Sequence, residues 1–412
     1  MTARRVLERC DELAAVSALP DGLIERTYLT VEHKAANALV AGWMSEAGLA
    51  TWQDAAGNVC GRLEGERPGL PALLLGSHLD TVPQAGRYDG ILGVLIAIDV
   101  AARIRAGAAP LPCALEVVGF GDEEGTRFGA TLLGSRAVAG TWDPAWWSLT
   151  DADGVSLREA YAAFGLDPAE VGRAARRAED VIGYLEAHIE QGPILEQRGR
   201  ALGVVGTIAG ARRLLITVVG RAAHAGTPYA LRRDALAGAC EAVLAVESRA
   251  PALDVIATVG RIGVQPGAVN VVPGSATFSL DLRAASDAVR DAGLGELLAE
   301  ITGICERRGL GVRVEHTHSA RTVHCDEAAM AALAAAIEAT GDRDPLELFS
   351  PPGHDAMAIA SLTGVGMLFL RCAGGVSHHP DESVTEADVV LAIEALHTAV
   401  REVAARYGKL AP

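Results

Sequence analysis

The chain has 412 residues, 50% of them hydrophobic and 21% charged, with a formal net charge of −16. That length suits two or three domains and is ample for a buried core. The acidity, with no run of five Lys or Arg, argues against nucleic acid or an anionic membrane as a partner, and no stretch approaches the ~18 apolar residues of a membrane span.

From the N-terminus, MTARRVLERCDELAAVS reads as an amphipathic helix carrying acidic residues, not as a secretory signal. Seven scattered cysteines (Cys10, Cys60, Cys113, Cys240, Cys305, Cys325 and Cys372) without a Cys-x-x-Cys pair point to reduced thiols and a cytoplasmic protein. VEHKAANALVAGWMSEAGL reads as a helix, PALLLGSHLD as a strand, GVLIAIDVAARIRAG as an apolar helix and LPCALEVVGFGDEEG as a second strand. Such alternation predicts an α/β fold: a mixed central sheet flanked by helices. Residues 151–180 read as exposed helices, and YLEAHIEQGPIL as another strand with its exit loop.

The texture changes near residue 208. RRLLITVVGRAAHAG and GSATFSLDLRA alternate apolar and polar residues, as half-covered antiparallel strands do. RRDALAGACEAVLAVESRA and LGELLAEITGICERRG supply helices around them, giving a compact α+β unit. After residue 320 the first style returns in AAMAALAAAIEATG and VGMLFLRC. The expected organisation is a discontinuous domain, 1–208 with 321–412, and an inserted α+β domain, 209–320.

In open α/β sheets, ligands gather at the carboxyl ends of strands. Four apolar runs here end in ligand-type residues: His78, Asp80 and Asp89; Asp122, Glu123 and Glu124; His188 and Glu190; and His378 with His379. Imidazole and carboxylate together suit Zn²⁺, with Mn²⁺ or Co²⁺ as substitutes. Two such cations need a bridging anion and a nearby base. Asp89 has two oxygens to share and suits the bridge. Asp80, two residues from His78 on an extended chain, suits acceptance of the other imidazole N–H. Glu123 and Glu124 point apart if extended, so one can hold metal while the other moves a proton.

These residues resemble the dinuclear-zinc amidohydrolases that include aminoacylases and carboxypeptidase-type exopeptidases. The nearer likeness is to allantoate amidohydrolases, N-carbamoyl-L-amino-acid hydrolases and β-ureidopropionases. It rests on GSHLDTVPQAGRYDGILGV, GFGDEEGTRFGATLLGSRAVAG, EAHIEQGPILE, GRAAHAGTP, PGAVNVVPG, FSLDLR, GHDAM and GVSHHPDE, in order from about residue 70 to 382.

The resemblance implies two divalent cations per subunit, with His78 and His188 on one, Glu124 and His378 on the other, and Asp89 between. A one-residue shift in SHHP would give His379 instead of His378. It implies that Glu123 is the general base and that His224 polarises the substrate. Gln191, Asn270, Arg283 and His354 would bind a small ureido acid, Arg283 through its carboxylate. It further implies that residues 209–320 form a lid and dimerisation domain in a homodimer. From the residues alone, Arg283 also reads as a surface charge, Asn270 as a turn former and His354 as a helix cap. Two stretches depart from the family's pattern, HAGTPYALRRD by a shortened loop and SPPGHDA by its paired prolines. IAGARR is closer to the allantoate enzymes, which makes allantoate the first expected substrate and N-carbamoyl-L-amino acids the second.

Overall fold

In the computed structural model, residues 2–107 and 109–410 are described. The outermost expected domain limits, Met1 and Pro412, lie outside them. The chain divides into two compact units: the first runs to Gly206 and resumes in Cys325–Leu348 and from Gly353, while the second is Thr207–His324 with Phe349–Pro352.

The first unit is built on a mixed sheet. Its strands are β1 (Ala50–Gln53), β2 (Val59–Leu63), β3 (Ala72–His78), β4 (Ala114–Phe120), β5 (Val181–Ile189), β6 (Leu202–Ile208), β15 (Leu346–Ser350) and β16 (Val365–Leu370), while β14 (Val323–His324), paired with Thr207 and Ile208 at the end of β6, falls in the second unit. The spatial order is β1-β2-β4-β3-β5-β16-β6-β14, with β15 also on β6. The four central strands β4, β3, β5 and β16 are mutually parallel, and antiparallel partners flank them. Parallel strands covered on both faces need continuous apolar runs. ALLLGSH and ALEVVGF are accordingly buried at every position. Each fully buried Leu of β3 stabilises the fold by roughly 2 kcal/mol relative to exposure.

The helix Ile91–Ala106 packs on β3, β4 and β5 and is apolar almost all round, which fits its burial between the sheet and the helices Ala3–Ala14 and Glu386–Leu410. Gly90 starts it at φ 70°, and a Cβ there would lie 2.3 Å from the His78 imidazole. Only glycine allows both that backbone turn and that approach. Residues 151–180 differ from expectation. They hold one α-helix, Leu157–Phe164, and two 3₁₀ turns, Pro168–Ala174 and Ala178–Asp180. Pro168 and Gly165 interrupt what composition alone reads as helix.

The second unit is an antiparallel sheet of β7 (Gly210–Val219), β9 (Ile256–Thr258), β10 (Ile262–Gln265), β12 (Ser275–Ala284) and β13 (Gly311–Ala320) in the order β10-β12-β7-β13, with β9 on β12. Alternate residues Leu214, Ile216 and Val218 of β7 and Phe278, Leu280 and Leu282 of β12 are buried with the helices Ala235–Arg249 and Asp287–Arg307. A separate two-stranded ribbon joins β8 (Ala223–His224) to β11 (Val271–Val272). Among the described residues no helix is long and apolar enough to cross a membrane.

Candidate metal centre

Parallel register carries the ligand-type residues to one edge of the sheet. His78 lies opposite Phe120, two residues before Asp122, and His188 lies opposite Phe369 near the end of β16. Asp89 sits just before the buried helix at Gly90. His378 lies in the loop after β16, at φ 55°, and Asp122 and Gln191 also have positive φ. Left-handed backbone at non-glycine residues is costly and concentrates at functional sites. Here it aims the loops leaving β4, β5 and β16.

Asp89 stands at the middle. Its Oδ1 is 3.3 Å from His188 Nε2 and 3.8 Å from His78 Nε2. Its Oδ2 is 3.0 Å from His378 Nε2, which is in turn 3.2 Å from Glu124 Oε1. Each carboxylate oxygen therefore faces a different ligand pair. His379 turns instead to Asp381, whose main-chain N–H it accepts at 3.2 Å, and both are exposed. The geometry brings His378, and not its neighbour, into the cluster. His378→Ala is expected to lower the divalent metal bound, by elemental analysis, and His379→Ala is expected to leave it unchanged.

Polar complementarity tests whether cations fit. His78 Nδ1 is 3.0 Å from the carbonyl oxygen of Asp80, and His188 Nδ1 is 2.9 Å from that of Ile189. A carbonyl only accepts, so both Nδ1 atoms carry hydrogen, and the lone pair of either imidazole in its neutral form is at Nε2. Those two Nε2 atoms, 3.5 Å apart, converge with Asp89 Oδ1, a buried oxygen with no hydrogen-bond donor. With both imidazoles neutral these are three acceptors without a donor, unfavourable unless a proton or a cation joins them. The field agrees. Burial disfavours an imidazolium at His78, yet Asp80, Asp89, Glu124 and Asp355 raise it to about 9. Hydrogen bonds to Asp89 and Glu124 raise His378 to about 10. Burial first, then Glu124, Asp355, Asp80 and Asp89, pushes the Glu123 carboxyl well above its ordinary range. A site that draws protons so strongly is built for positive charge.

The sequence pattern of peptidase family M20/M25/M40 matches residues 74–402, which contain every one of these side chains. The chain belongs to this family. Among relatives, it is 40% identical to allantoate deiminase 2 of Glycine max, over 92% of this chain and 85% of that protein. It is 39% identical to the N-carbamoyl-L-amino acid amidohydrolase of Geobacillus stearothermophilus, over 97% and 98%. The crystal structure of a hydantoinase/carbamoylase-family amidase from Burkholderia multivorans superposes with a TM-score of 0.87 at 33% identity, covering 98% of both chains. The M20/M25/M40 chain described here is thus a hydrolase, and its clustered His, Asp and Glu groups suit divalent metal.

Other expected site residues fall in different surroundings. Asp80 does not take the His78 Nδ1–H on its carboxylate, which stands 3.7 Å away. It accepts instead the main-chain N–H groups of Glu123 at 3.0 Å and Glu124 at 3.2 Å. The reason is that β3 stops at His78, so two-residue alternation no longer applies. Glu123 and Glu124 do not point apart, because they follow the left-handed Asp122 rather than an extended strand. Both place an oxygen within 4.8 Å of a His78 nitrogen. His354 is 1% exposed and packs edge-on against His188 with ring centroids 4.5 Å apart, a place suited to bracing that ligand rather than facing solvent. Glu190 caps the short helix Ile194–Gln197 by accepting from Ile194 and Leu195. Gln191 Nε2 donates to Asp89 Oδ2 at 2.9 Å and to Ser377 Oγ at 3.2 Å.

In the second unit, β8 and β11 bring His224 and Asn270 together, with the Asn270 carbonyl accepting from Ala225. His224 Nδ1 accepts from Gly226 N–H at 3.0 Å, which leaves Nε2 as the protonated nitrogen of an exposed imidazole. Arg283 gives its Nε and one terminal nitrogen to Asp281 and the other to the Pro351 carbonyl. Arg213, from the GARR stretch, holds the same Asp281. Two residues escaped the sequence reading as site residues: Ser377 and Glu382, both buried or half-buried against Asp89. Their only signal was membership of GVSHHPDE.

Proposed function

We propose that this chain hydrolyses a ureido C–N bond of a small carboxylate-bearing substrate, allantoate first. The reading rests above all on Asp89, whose two oxygens face separate ligand pairs with Glu123 alongside. The names of the relatives direct it to ureido compounds, and Arg213 beside Asp281 and Arg283 gives the GARR stretch a place near the expected carboxylate fork.

His78, His188 and Asp89 would hold one divalent cation, and Asp89, Glu124 and His378 the other. Zinc is the first choice by donor type, manganese or cobalt the substitutes. Bound there, such cations polarise the ureido carbonyl and lower the pKa of a water. Glu123 accepts a proton from that water as its oxygen adds to the ureido carbon. Asp80, through two main-chain N–H groups, keeps Glu123 and Glu124 in place. The His224 Nε2–H offers a donor to the oxygen that gains charge. Glu123 then returns its proton to the departing nitrogen, the C–N bond breaks and ammonia leaves. The remaining carbamate loses carbon dioxide, and allantoate yields ureidoglycine. Arg283, its plane fixed by Asp281, suits the substrate carboxylate as lysine does not. Gln191 and Asn270 supply further polar contacts, and His354 steadies His188. A homodimer with residues 209–320 as lid and dimerisation unit belongs to the same proposal.

A second reading, an N-carbamoyl-L-amino-acid hydrolase, is favoured by the near end-to-end match to the Geobacillus relative. The metal-free protein, reloaded with Zn²⁺ or Mn²⁺, is expected to release ammonia from allantoate faster than from N-carbamoyl-L-methionine. The reverse ranking selects the second reading. Ligand binding unaffected by chelation, with no ammonia from either, would mark a catalytically dead binding relative.

A further inference from the structure

Glu382 links two segments that each bring a residue to the centre. Its Oε1 accepts the main-chain N–H of Tyr88 at 2.8 Å and of Asp89 at 3.1 Å. Its Oε2 lies 2.9 Å from Ser377 Oγ, the residue before His378. The carboxylate is 3% exposed, and the chain makes room for it at Gly86, where a Cβ would fall 2.2 Å from its carboxyl carbon. One buried side chain thus ties the backbone of Asp89 to the loop of His378, across nearly 300 residues of sequence.

The hydrogen count at Ser377 gives this link a chemical consequence. Ser377 Oγ is 2.9 Å from Glu382 Oε2 and 3.2 Å from Asp89 Oδ2, so one hydroxyl proton stands between two carboxylate oxygens. Gln191 Nε2, 3.2 Å away, donates to the same Oγ. If the proton points to Asp89 it occupies a lone pair of the oxygen that faces His378 and Glu124. If it points to Glu382, the nearer acceptor, that lone pair stays available.

We propose that Glu382 is a positioning residue for the metal centre, pinning the Asp89 backbone and holding the Ser377 proton away from Asp89 Oδ2. This rests on the dinuclear reading of the site. It makes an unusual demand of the conservative variant. In Glu382→Gln the amide oxygen must face the N–H groups of Tyr88 and Asp89, because only an acceptor suits them. The NH₂ group then faces Ser377 Oγ as a donor and turns the hydroxyl proton onto Asp89 Oδ2. The substitution replaces a proton acceptor by a donor with little change in shape.

The experiment is direct titration of the metal-free native chain and its variants with Zn²⁺ at pH 8, read by calorimetry and by competition with a chromophoric chelator. Thermal unfolding of the metal-free forms is run alongside to confirm folding. The native chain is expected to bind two equivalents. E382Q is expected to bind the second equivalent roughly ten- to a hundredfold more weakly, the range for lost outer hydrogen-bond partners of metal ligands. Removing the misdirected hydroxyl in the double variant E382Q/S377A is expected to recover part of that loss, while Ser377→Ala alone costs less than E382Q. Native-like binding by E382Q, or a double variant no tighter than E382Q, overturns the role of Glu382 and leaves the centre standing. A native chain that binds no Zn²⁺ overturns the dinuclear reading itself, and this role with it.

Discussion

Replacing Glu123 by Gln is expected to lower kcat for ammonia release by about 10³-fold, in the middle of the range for loss of a general base, while leaving two equivalents of metal in place. The amide keeps the size and planarity of the carboxylate but has no lone pair basic enough to take a proton from water. KM is expected to change little, because Glu123 is assigned no contact with the substrate in its ground state. Metal content decides what a loss of activity means. Glu123 lies close enough to His78 and Glu124 to serve as a ligand. If E123Q sheds a cation in proportion to its lost activity, Glu123 is a ligand and the proton must move elsewhere. Retention of both cations with kcat reduced makes it the base.

The parts of this site that the sequence shows are those set by strand ends. PALLLGSH and LPCALEVVGF are too apolar and too short to be anything but buried strands, and parallel strands in one sheet deliver their last residues to one edge. His78, Glu124, His188 and His378 could therefore be expected in company before any coordinates. What the sequence hides depends on how each strand stops. Alternation predicted that Asp80 would share the face of His78, but β3 ends at His78 and the carboxylate turns to the N–H groups of Glu123 and Glu124 instead. Extension predicted that Glu123 and Glu124 would diverge, but the left-handed Asp122 ahead of them makes both reach His78. Depth is equally hidden, since nothing in GHDAM tells a buried His354 from one facing substrate. Glu382 was invisible as a site residue for another reason: its partners Tyr88 and Asp89 are distant in sequence, and the bonds are to main-chain N–H groups that carry no side-chain signature.

Asp89→Asn is expected to have the second large effect, and the effect should be larger in metal-loaded than in metal-free protein. In the metal-free chain Asp89 lies among His78, His188 and His378, and the raised His78 and His378 imidazoles pair with its carboxylate. An amide in the same place loses that pairing but also removes a buried charge. The metal-free variant should therefore unfold somewhat below the native temperature. Loaded protein should lose more. A ligand that binds only the folded state stabilises it by RT ln(1 + [L]/Kd), about 2.7 kcal/mol at a hundred times Kd. Asn offers one oxygen where the proposed bridge needs two, so at least one cation loses a ligand atom and its Kd rises. Zn²⁺ is expected to raise the unfolding temperature of the native chain clearly and that of D89N little, with activity falling at least about 10³-fold as the cations that activate the water are lost. Differential scanning calorimetry with and without Zn²⁺ measures both terms in one experiment. An equal metal-induced shift in the two proteins would mean that Asp89 holds neither cation, and the convergence of His78, His188, Glu124 and His378 on its two oxygens would then be charge pairing alone.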